Sequence, residues 1–441
     1  MAMEPIWIGF WGIVALFIFL AAGMHIALAM ALVGTFGAAS ILGIRPTIHH
    51  LLGEVFYSVC RWDLMVLPMF ILVGLLAGAA GLSKNIYYVL SLWLRQVKGG
   101  LGIASVASCA AFGTVCGSSL VTAAVFAKTS APEMRRYGYE KRLAYGLVSA
   151  AGSIGMLIPP SILIVMYGIF SQESMGKLLI AGITPGLLLT IFFSIAIVLV
   201  ISIKPSSVKA TSFSQVDKIT WRLRIFSLGM LWPIYAAALI IIGGIYSGFF
   251  SPEEAGAVSV ALLFFIVLSS KEGRKDLKPA LIDSASIAAM IYFLFIGATM
   301  FGRFLMLSGI VPMALDVVIG WNLSQLKFVI AVSIIYLILG CFLDSISMLA
   351  ITMPIIYPVV QAMRIDPIWY AVIVIMAIEC GLITPPVGLN VYGVKGVAEP
   401  DVTLEDIFIG GAPFFLVMVF VLGLLIFFPP LSTFLPNLLV K

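Results

Sequence analysis

Two stretches of this chain interrupt strongly apolar sequence in the same way and at a constant spacing. Each stretch, 113–168 and 340–393, contains a polar, Gly-rich run that is followed by a Pro-Pro pair. The distance along the chain from Ser118 in the first run to Asp344 in the second equals the distance between the two Pro-Pro pairs, and we call it the repeat spacing. Helices that are broken at matching positions in two halves of an apolar chain are the sequence sign of a secondary transporter, with the binding site at the breaks.

The composition places nearly all of the chain in a lipid bilayer. Hydrophobic residues make up 62% of it and charged residues 10%, whereas a soluble domain carries about 25% charged residues. The apolar runs have the length of membrane-spanning helices, about 20 residues, and are too long for the strands of a membrane β-barrel. Long candidate spans lie near 6–22, 24–43, 56–80, 143–169, 178–203, 225–247, 255–270, 281–308, 367–394 and 407–428.

The repeat spacing predicts an all-α polytopic membrane protein built from two repeats. Each repeat is expected to contain three spans, an amphipathic arm, a re-entrant hairpin, a broken helix and a last span. In repeat two, the charged segment 271–282 is interpreted as a shorter counterpart of the first arm. The predicted boundaries are 1–203 for repeat one (scaffold spans 1–82, arm 83–98, hairpin about 100–134, broken helix about 139–169, last span 178–203), 204–224 for a cytoplasmic linker, and 225–428 for repeat two (scaffold spans, hairpin about 325–361, broken helix about 367–395, last span 407–428).

The distribution of Lys and Arg predicts the orientation. If both hairpins return to the side from which they entered, 18 basic residues fall on one side of the membrane and seven on the other. The positive-inside rule assigns the richer side to the cytoplasm. Both termini are then expected outside, in the periplasm of a bacterial inner-membrane protein, and the two repeats are inverted relative to each other. The net charge of +5 arises from these loops, and nothing indicates a nucleic-acid partner.

The polar breaks predict Na⁺ sites. Backbone groups without partners at membrane depth cost several kcal/mol each, so irregular backbone persists there only where protein or ligand satisfies it. Runs of Gly, Ser and Thr supply carbonyl and hydroxyl oxygens that suit a hard cation. The alternative interpretation, helix kinks packed with small residues, needs four such kinks in register. The predicted Na⁺ ligands are Gly113, Gly117, Ser118, Ser119, Gly152, Ser153 and Gly155 for one site, and Gly340, Asp344, Ser345, Gly381 and Thr384 for a symmetry-related second site.

The hairpin tips also predict a site for a carboxylate substrate, because the N-termini of helices carry a positive partial charge. Arg303 lies where an intramembrane charge is costly and therefore functional by default, although it is equally compatible with a snorkelling position near the outer interface. Glu379 is interpreted as structurally paired. The predicted substrate-binding residues are Ser119, Thr299, Arg303, Ser345 and Asn390.

Motifs for enzymatic chemistry are missing from the sequence. It contains no G-x-x-x-x-G-K-[ST] loop for ATP and no H-E-x-x-H motif, and no G-x-S-x-G with partners indicates intramembrane hydrolysis. We therefore interpret the chain as a transport protein and not as an enzyme.

The chain resembles the large membrane subunit of TRAP transporters, the tripartite ATP-independent periplasmic family, over essentially its whole length. The resemblance implies an elevator-type Na⁺ symporter that is fed by a soluble periplasmic binding protein and assembled with a small four-helix membrane subunit, which is not expected to be fused to this chain. The chain also looks similar to the sialic-acid branch of the family. The resemblance rests on Gly113-Thr114, Gly117-Ser118-Ser119, Ala131-Pro132-Glu133-Met134, Ala151-Gly152-Ser153-Ile154-Gly155, Pro159-Pro160-Ser161, Gly244-Ile245-Tyr246-Ser247-Gly248 and Pro252-Glu253-Glu254-Ala255.

Related sodium–dicarboxylate symporters have Ser-Asn-Thr at their hairpin tips, where this chain has Gly-Ser-Ser and Asp-Ser. Three functions therefore remain open at the level of sequence. They are Na⁺-coupled import of an organic carboxylate (sialic acid or a C4-dicarboxylate) with a binding protein, a self-sufficient sodium–dicarboxylate symporter, and a channel.

Overall fold

A computed structural model describes residues 4–208 and 220–439, and every named element in these two ranges is a helix. Seven of the described helices are long and apolar enough to cross a membrane, or eight if a pair bent by 42° counts as one broken span. The first repeat contains α1 (Pro5–Ala21), α2 (Ile26–Leu42), α3 (Ile44–Val59), α4 (Val66–Ala79), α5 (Leu82–Leu94), α6 (Gly100–Cys116), α7 (Ser119–Arg136), α8 (Lys141–Ala151), α9 (Ile154–Leu157), α10 (Ile162–Ser171), α11 (Met175–Ala181) and α12 (Ile183–Ile203).

The second repeat follows the same order after a linker of which 209–219 lie outside the described residues. A π-helical turn, Leu239–Gly243, joins its second and third helices into one span. A last helix, which the sequence analysis does not predict, follows the final span. The helices are α13 (Trp221–Leu228), α14 (Trp232–Ala238), α15 (Gly244–Tyr246), α16 (Pro252–Ser269), α17 (Lys271–Leu307), α18 (Ile310–Gly320), α19 (Gln325–Gly340), α20 (Ser345–Ala362), α21 (Pro367–Gly381), α22 (Leu389–Lys395), α23 (Leu404–Phe427) and α24 (Pro430–Leu439).

The two polar breaks are the tips of helical hairpins, and the Pro-Pro pairs break the helices that follow them. The first hairpin consists of α6 and α7, and the second of α19 and α20. The first broken helix consists of α8, α9 and α10, and the second of α21 and α22. The Pro159–Pro160 and Pro385–Pro386 bonds are both cis. The all-α fold with a hairpin and a broken helix in each repeat is therefore confirmed.

The prediction of an interfacial arm at 271–282 is wrong. This segment is the beginning of α17, a single helix of 37 residues, which at 1.5 Å per residue is about 55 Å long. Charges of alternating sign in its first turns support a solvent-exposed helix that continues beyond the membrane. The helix that matches the first arm at the repeat spacing is instead α18, and α17 matches α3 and α4 together. The predicted span 56–80 accordingly begins only at Trp62, because α3 ends at Val59.

One face of the molecule brings together the base of the first hairpin, the loop that follows the last span of repeat one and the loop that follows the second broken helix. Lys98 Nζ donates to Ser202 Oγ at 3.0 Å, and Tyr139 pairs with Val208 in an isolated β-bridge. Arg135 forms ion pairs with Glu399 and Asp401, and it lowers the pKa of the exposed Asp401 carboxyl. The segments that contain residues 98, 135–142, 202–208 and 399–406 therefore lie at one end of the bundle.

The opposite face brings together the base of the second hairpin and the end of the first broken helix. Gln325 Nε2 donates to Met363 O at 2.9 Å, which closes the base of the second hairpin. Tyr357 Oη donates to Ser171 O at 3.1 Å, and Tyr167 Oη donates to Pro367 O at 2.9 Å. Since the first broken helix runs from Lys141 at one face to Ser171 at the other, the two hairpins open toward opposite faces. This is the arrangement of inverted repeats.

The helices outside the hairpins form a separate packed group. The long helix α17 packs along α2 and α4, and α2 also packs against α1. Their contact is close because small residues allow it: a Cβ on Gly34 would lie 2.6 Å from Met300 C, and one on Gly297 would lie 2.4 Å from Ala27 O. We call α1, α2, α4 and α17 the scaffold helices, and we call the two hairpins with the two broken helices the hairpin body.

Candidate functional site

The first hairpin tip is held against the first broken helix. Gly117 ends α6 in the left-handed region (φ 65°), and a Cβ there would lie 2.3 Å from Pro160 O, so both the turn and the contact require glycine. Its carbonyl accepts a hydrogen bond from Ile162 N at 3.2 Å. Ser118 then caps α7 by accepting from Val121 N. The tip and the break thus form one compact unit.

The second hairpin tip repeats this construction with an acidic cap. Asp344 caps α20 by accepting from Ser347 N at 3.0 Å. The carbonyl of Cys341 accepts from Val387 N at 3.2 Å, which ties this tip to the second broken helix. Because Ser118 and Asp344 occupy matching positions, each tip presents the N-terminus of an 18-residue helix.

Glycine pairs bring each hairpin against its broken helix. A Cβ on Gly113 would lie 2.8 Å from Gly155 Cα, and a Cβ on Gly340 would lie 2.7 Å from Gly381 Cα. Gly152 is similarly close to Ser119 O, at 2.8 Å from its ideal Cβ. The seven ligands predicted for the first Na⁺ site therefore lie in one cluster of contacting segments, and the second set gathers in the same way around α19 and α21.

Both tips face a single cavity of about 390 Å³. It is bounded on one side by the hairpin body and on the other by the scaffold helices α4 and α17, which contribute Gly74 and Met290 among others. Asp344 is the charged residue in its wall, and none of the described residues that line it is basic. The polar residues of the wall are Ser118, Ser119, Asp344, Ser345 and Asn390.

Comparison with known proteins identifies the family. Residues 13–431 match the model of the Tripartite ATP-independent periplasmic transporter, DctM component. The chain belongs to this family. It is 32% identical over 411 residues to the C4-dicarboxylate TRAP transporter large permease protein DctM of Rhodobacter capsulatus, with 88% of this chain and 89% of that protein covered. It is 28% identical over 419 residues to the sialic acid TRAP transporter large permease protein SiaM of Vibrio cholerae, with coverage of 95% and 96%.

A solved structure shares the fold of this TRAP large permease. The YdaH transporter of Alcanivorax borkumensis matches with a TM-score of 0.58 and 16% sequence identity, over 96% of this chain and 97% of that one. At this identity the likeness concerns the fold alone. The resemblance noted in the sequence is thus confirmed at the level of the family, and the chain is a multi-pass membrane protein of a transporter family.

The cavity brings together three of the five residues predicted to bind substrate. Ser119, Ser345 and Asn390 line it, whereas Thr299 and Arg303 do not. Both of the latter lie on α17, and Thr299 is nine residues, roughly 13 Å, further along that helix than Met290, which does line the cavity. Thr299 Oγ1 donates to Phe295 O within its own helix at 2.9 Å. Thr299 and Arg303 thus lie on the span that precedes the second hairpin, as predicted, but outside the cavity wall.

Sequence reasoning missed Glu379. Its side chain is fully buried, and Ser119 Oγ donates to its Oε1 at 3.1 Å. None of the ion pairs among the described residues involves Glu379, so its observed partner is the Ser119 hydroxyl and not a basic residue. The sequence does contain one sign of its importance. Glu379 lies one repeat spacing after Ser153, which is among the predicted Na⁺ ligands, so the two residues occupy matching positions in the two repeats.

The glycine pairs allow a stability prediction. Replacing Gly340 by Ala puts a methyl group against the backbone of Gly381, which has no side chain to move aside, and we expect the free energy of unfolding to fall by about 1–3 kcal/mol. Gly423→Ala on α23 is the matched control, since no atom lies within 4 Å of its ideal Cβ. Thermal unfolding of the purified variants measures both. Equal melting temperatures for the two variants would contradict the close packing of α19 on α21.

Proposed function

We propose that this TRAP large permease is the transport subunit of a Na⁺-coupled uptake system for an organic carboxylate and that it works by an elevator mechanism. The observation that carries the proposal is the cavity that joins both hairpin tips to α4 and α17. A substrate bound there touches the hairpin body on one side and the scaffold helices on the other. A rigid-body shift of the hairpin body along the scaffold would therefore carry the substrate across the membrane.

The charges of the cavity support co-transport of a cation. The first-turn N–H groups of α7 and α20 favour an anion, but the Asp344 carboxylate in the same wall repels one. Without a basic residue among the described residues of the wall, a bound carboxylate needs a cation as its counter-charge. Hydroxyl, carbonyl and carboxylate oxygens suit a hard cation such as Na⁺.

The substrate class follows from the same groups. We propose an organic carboxylate, either a C4-dicarboxylate or a sialic acid, because two helix N-termini face a cavity whose volume lies in the usual range for small-molecule sites. The two relatives named above are called permeases for one and for the other, and both substrates carry the carboxylate that the tips would bind.

The proposed partners are a small four-helix membrane subunit and a periplasmic binding protein that delivers the substrate. The family description, a tripartite periplasmic transporter, supports this proposal. The outer loops offer a few basic residues to a docking protein, among them the exposed Arg45, Lys327 and Arg364. The proposed orientation is the one predicted by the distribution of Lys and Arg, with both termini of the chain in the periplasm.

Uptake by proteoliposomes that contain the chain and the small subunit tests this function. We expect saturable accumulation of a C4-dicarboxylate or of sialic acid that requires both an inward Na⁺ gradient and the binding protein. Cysteines at Gln172 and Lys275, probed in the same vesicles with a thiol reagent that does not cross membranes, report the orientation, and only Gln172→Cys should be labelled from the periplasmic side. Robust Na⁺-driven uptake without binding protein would favour a self-sufficient symporter, and flux that neither saturates nor needs Na⁺ would indicate a channel.

A further inference from the structure

A fully buried carboxylate lies directly behind the wall of the cavity. Glu379, near the end of α21, has no exposed surface and accepts its hydrogen bond from Ser119, the first residue of α7. The side chains of Ser153 and Asn390 also adjoin the carboxylate, and both are fully buried. Ser119 and Asn390 belong at the same time to the cavity wall. Two side chains thus separate the buried carboxylate from the cavity.

The position of Glu379 follows from the symmetry of the fold. Glu379 and Ser153 are separated by the repeat spacing, so they occupy the same place in the two repeats. Residues that are related by a two-fold axis can adjoin each other only close to that axis. Glu379 therefore lies where the two broken helices cross, in contact with a hairpin of the other repeat. This location differs from that of the acidic residue Asp344, which belongs to the second tip.

Several polar atoms of this group make no hydrogen bond of normal length and angle with any group in residues 4–208 and 220–439, although Ser153 and Asn390 lie close enough to Glu379 to interact with its carboxylate. These atoms are Glu379 Oε2, Ser153 Oγ, and both Oδ1 and Nδ2 of Asn390. Buried polar atoms are nearly always satisfied in folded proteins, and an unpaired buried charge is costlier still. None of the ion pairs among the described residues supplies a basic partner. Two neighbouring residues with unsatisfied oxygens beside a carboxylate that is itself only partly satisfied indicate a site for a cation.

We propose that Glu379 and Asn390 complete the first of the two Na⁺ sites. Glu379 supplies its carboxylate, Asn390 its amide oxygen, and Ser119 and Ser153 supply their hydroxyl oxygens. This proposal rests on the Na⁺ coupling proposed above and adds a ligand set from repeat two to a site that the sequence confines to repeat one.

The chemistry of the group selects a monovalent cation. One carboxylate and three neutral oxygen donors give a neutral complex with Na⁺, whereas a divalent ion would leave a net charge in the membrane interior. Among the described residues, no group of three or more His, Cys, Asp or Glu side chains forms a site for a divalent metal. The all-oxygen donor set also disfavours softer transition metals.

Occupation of this site would couple the ion to the substrate. The bound ion would connect α7 of the first hairpin with α21 and α22 of the second broken helix, and two of its ligands, Ser119 and Asn390, face the substrate cavity. Na⁺ would therefore fix the two side chains of the cavity wall before a substrate binds. The ion would also neutralise Glu379 before the hairpin body moves through the membrane.

Thermal unfolding of the purified protein in detergent tests the ligand set without transport, substrate or binding protein. A ligand that binds only the folded state raises the melting temperature in proportion to its occupancy. We expect NaCl, but not choline chloride at equal ionic strength, to stabilise the wild-type chain. Glu379→Gln keeps the shape and removes the charge, and we expect it to raise the Na⁺ concentration for half-maximal stabilisation at least tenfold. Its melting temperature without Na⁺ should equal or exceed that of the wild type, because an unpaired buried charge is gone.

The variant Ser153→Ala tests whether Ser153 is a ligand of the ion or only packs in the interior. Removing the buried Ser153 hydroxyl, which makes no hydrogen bond of normal geometry, should leave Na⁺ binding unchanged if the residue only packs, whereas loss of a ligand should raise the half-maximal Na⁺ concentration several-fold. Ser130→Ala is the matched control, since Ser130 is equally buried on α7 and donates to Phe126 O within its helix.

The outcomes distinguish this proposal from the proposed function. A half-maximal Na⁺ concentration that is unchanged in both Glu379→Gln and Ser153→Ala overturns the ligand set, even if uptake depends on Na⁺. If Glu379→Gln gives no folded protein, Ser153→Ala decides by the same criterion. Absence of Na⁺ stabilisation in the wild type, together with uptake that is independent of Na⁺, overturns the proposed coupling itself.

Discussion

A covalent link between Leu120 at the first hairpin tip and Met290 on α17 is expected to abolish uptake. Both residues line the cavity, Leu120 from the hairpin body and Met290 from a scaffold helix, and their side chains are 43% and 42% exposed, so a reagent can reach cysteines placed there. If transport requires the hairpin body to slide past α17, a short bifunctional thiol reagent on the double cysteine variant should stop nearly all uptake. A reducing agent that cleaves the link should restore it.

A link within the scaffold is the matched control for this experiment. Leu75 on α4 and Met290 on α17 both line the cavity and neither is fully buried, but both belong to the part that is expected to remain still. Cysteines at these two positions should react without comparable loss of uptake. The variants are best made with Cys60 replaced by Ser, because Cys60 is the exposed member of the five free cysteines and the others are buried. Full uptake by the linked 120–290 variant would exclude the elevator movement.

The features that the sequence predicts well are those that interrupt a regular pattern. Glycine, serine and paired prolines stand out against apolar sequence, and the repeat spacing relates Ser118 to Asp344 and one Pro-Pro pair to the other. The hairpin tips and the helix breaks therefore coincide with features that are visible in the chain. The distribution of Lys and Arg predicts the inversion, and the structure reproduces it in the opposite openings of the two hairpins.

The features that the sequence does not reveal depend on contacts between distant segments. Glu379 is a single acid in an apolar helix, and only the crossing of the broken helices brings it to Ser119, which is 260 residues away. The prediction for Thr299 and Arg303 rests on their place in the span before the second hairpin and, for Arg303, on the cost of a charge within the membrane, but the cavity meets α17 about two turns or more before them. The prediction of an arm at 271–282 fails because charge and amphipathicity are compatible both with an interfacial helix and with the exposed end of a long one.

Replacing Asp406 by Ala is expected to lower the stability of the whole hairpin body. Its carboxylate, with only 5% of the side chain exposed, pairs with Lys141 Nζ at 2.7 Å and with Arg142 Nε at 2.9 Å. It also accepts from Thr403 N at 3.1 Å, and its own N–H donates to Thr403 Oγ1, which completes a capping box at the start of α23. One residue thus joins the first broken helix of repeat one to the last span of repeat two.

The loss should be about 2–3 kcal/mol, because charge-assisted hydrogen bonds and a helix cap disappear together. This loss of stability should be smaller than the loss caused by removing one partner of a fully buried ion pair. The reason is that the side chains of Lys141 and Arg142 are 33% and 43% exposed and keep contact with water. Glu405→Ala, one residue earlier on the exposed side of the same turn, is the control and should change stability by less than about 0.5 kcal/mol. Denaturant or thermal unfolding in detergent measures both variants.

Because Asp406 lies at the end of the bundle and Glu379 near the cavity, Asp406→Ala should leave the half-maximal Na⁺ concentration for thermal stabilisation unchanged. Equal stability of the two variants would show that this network does not hold the repeats together.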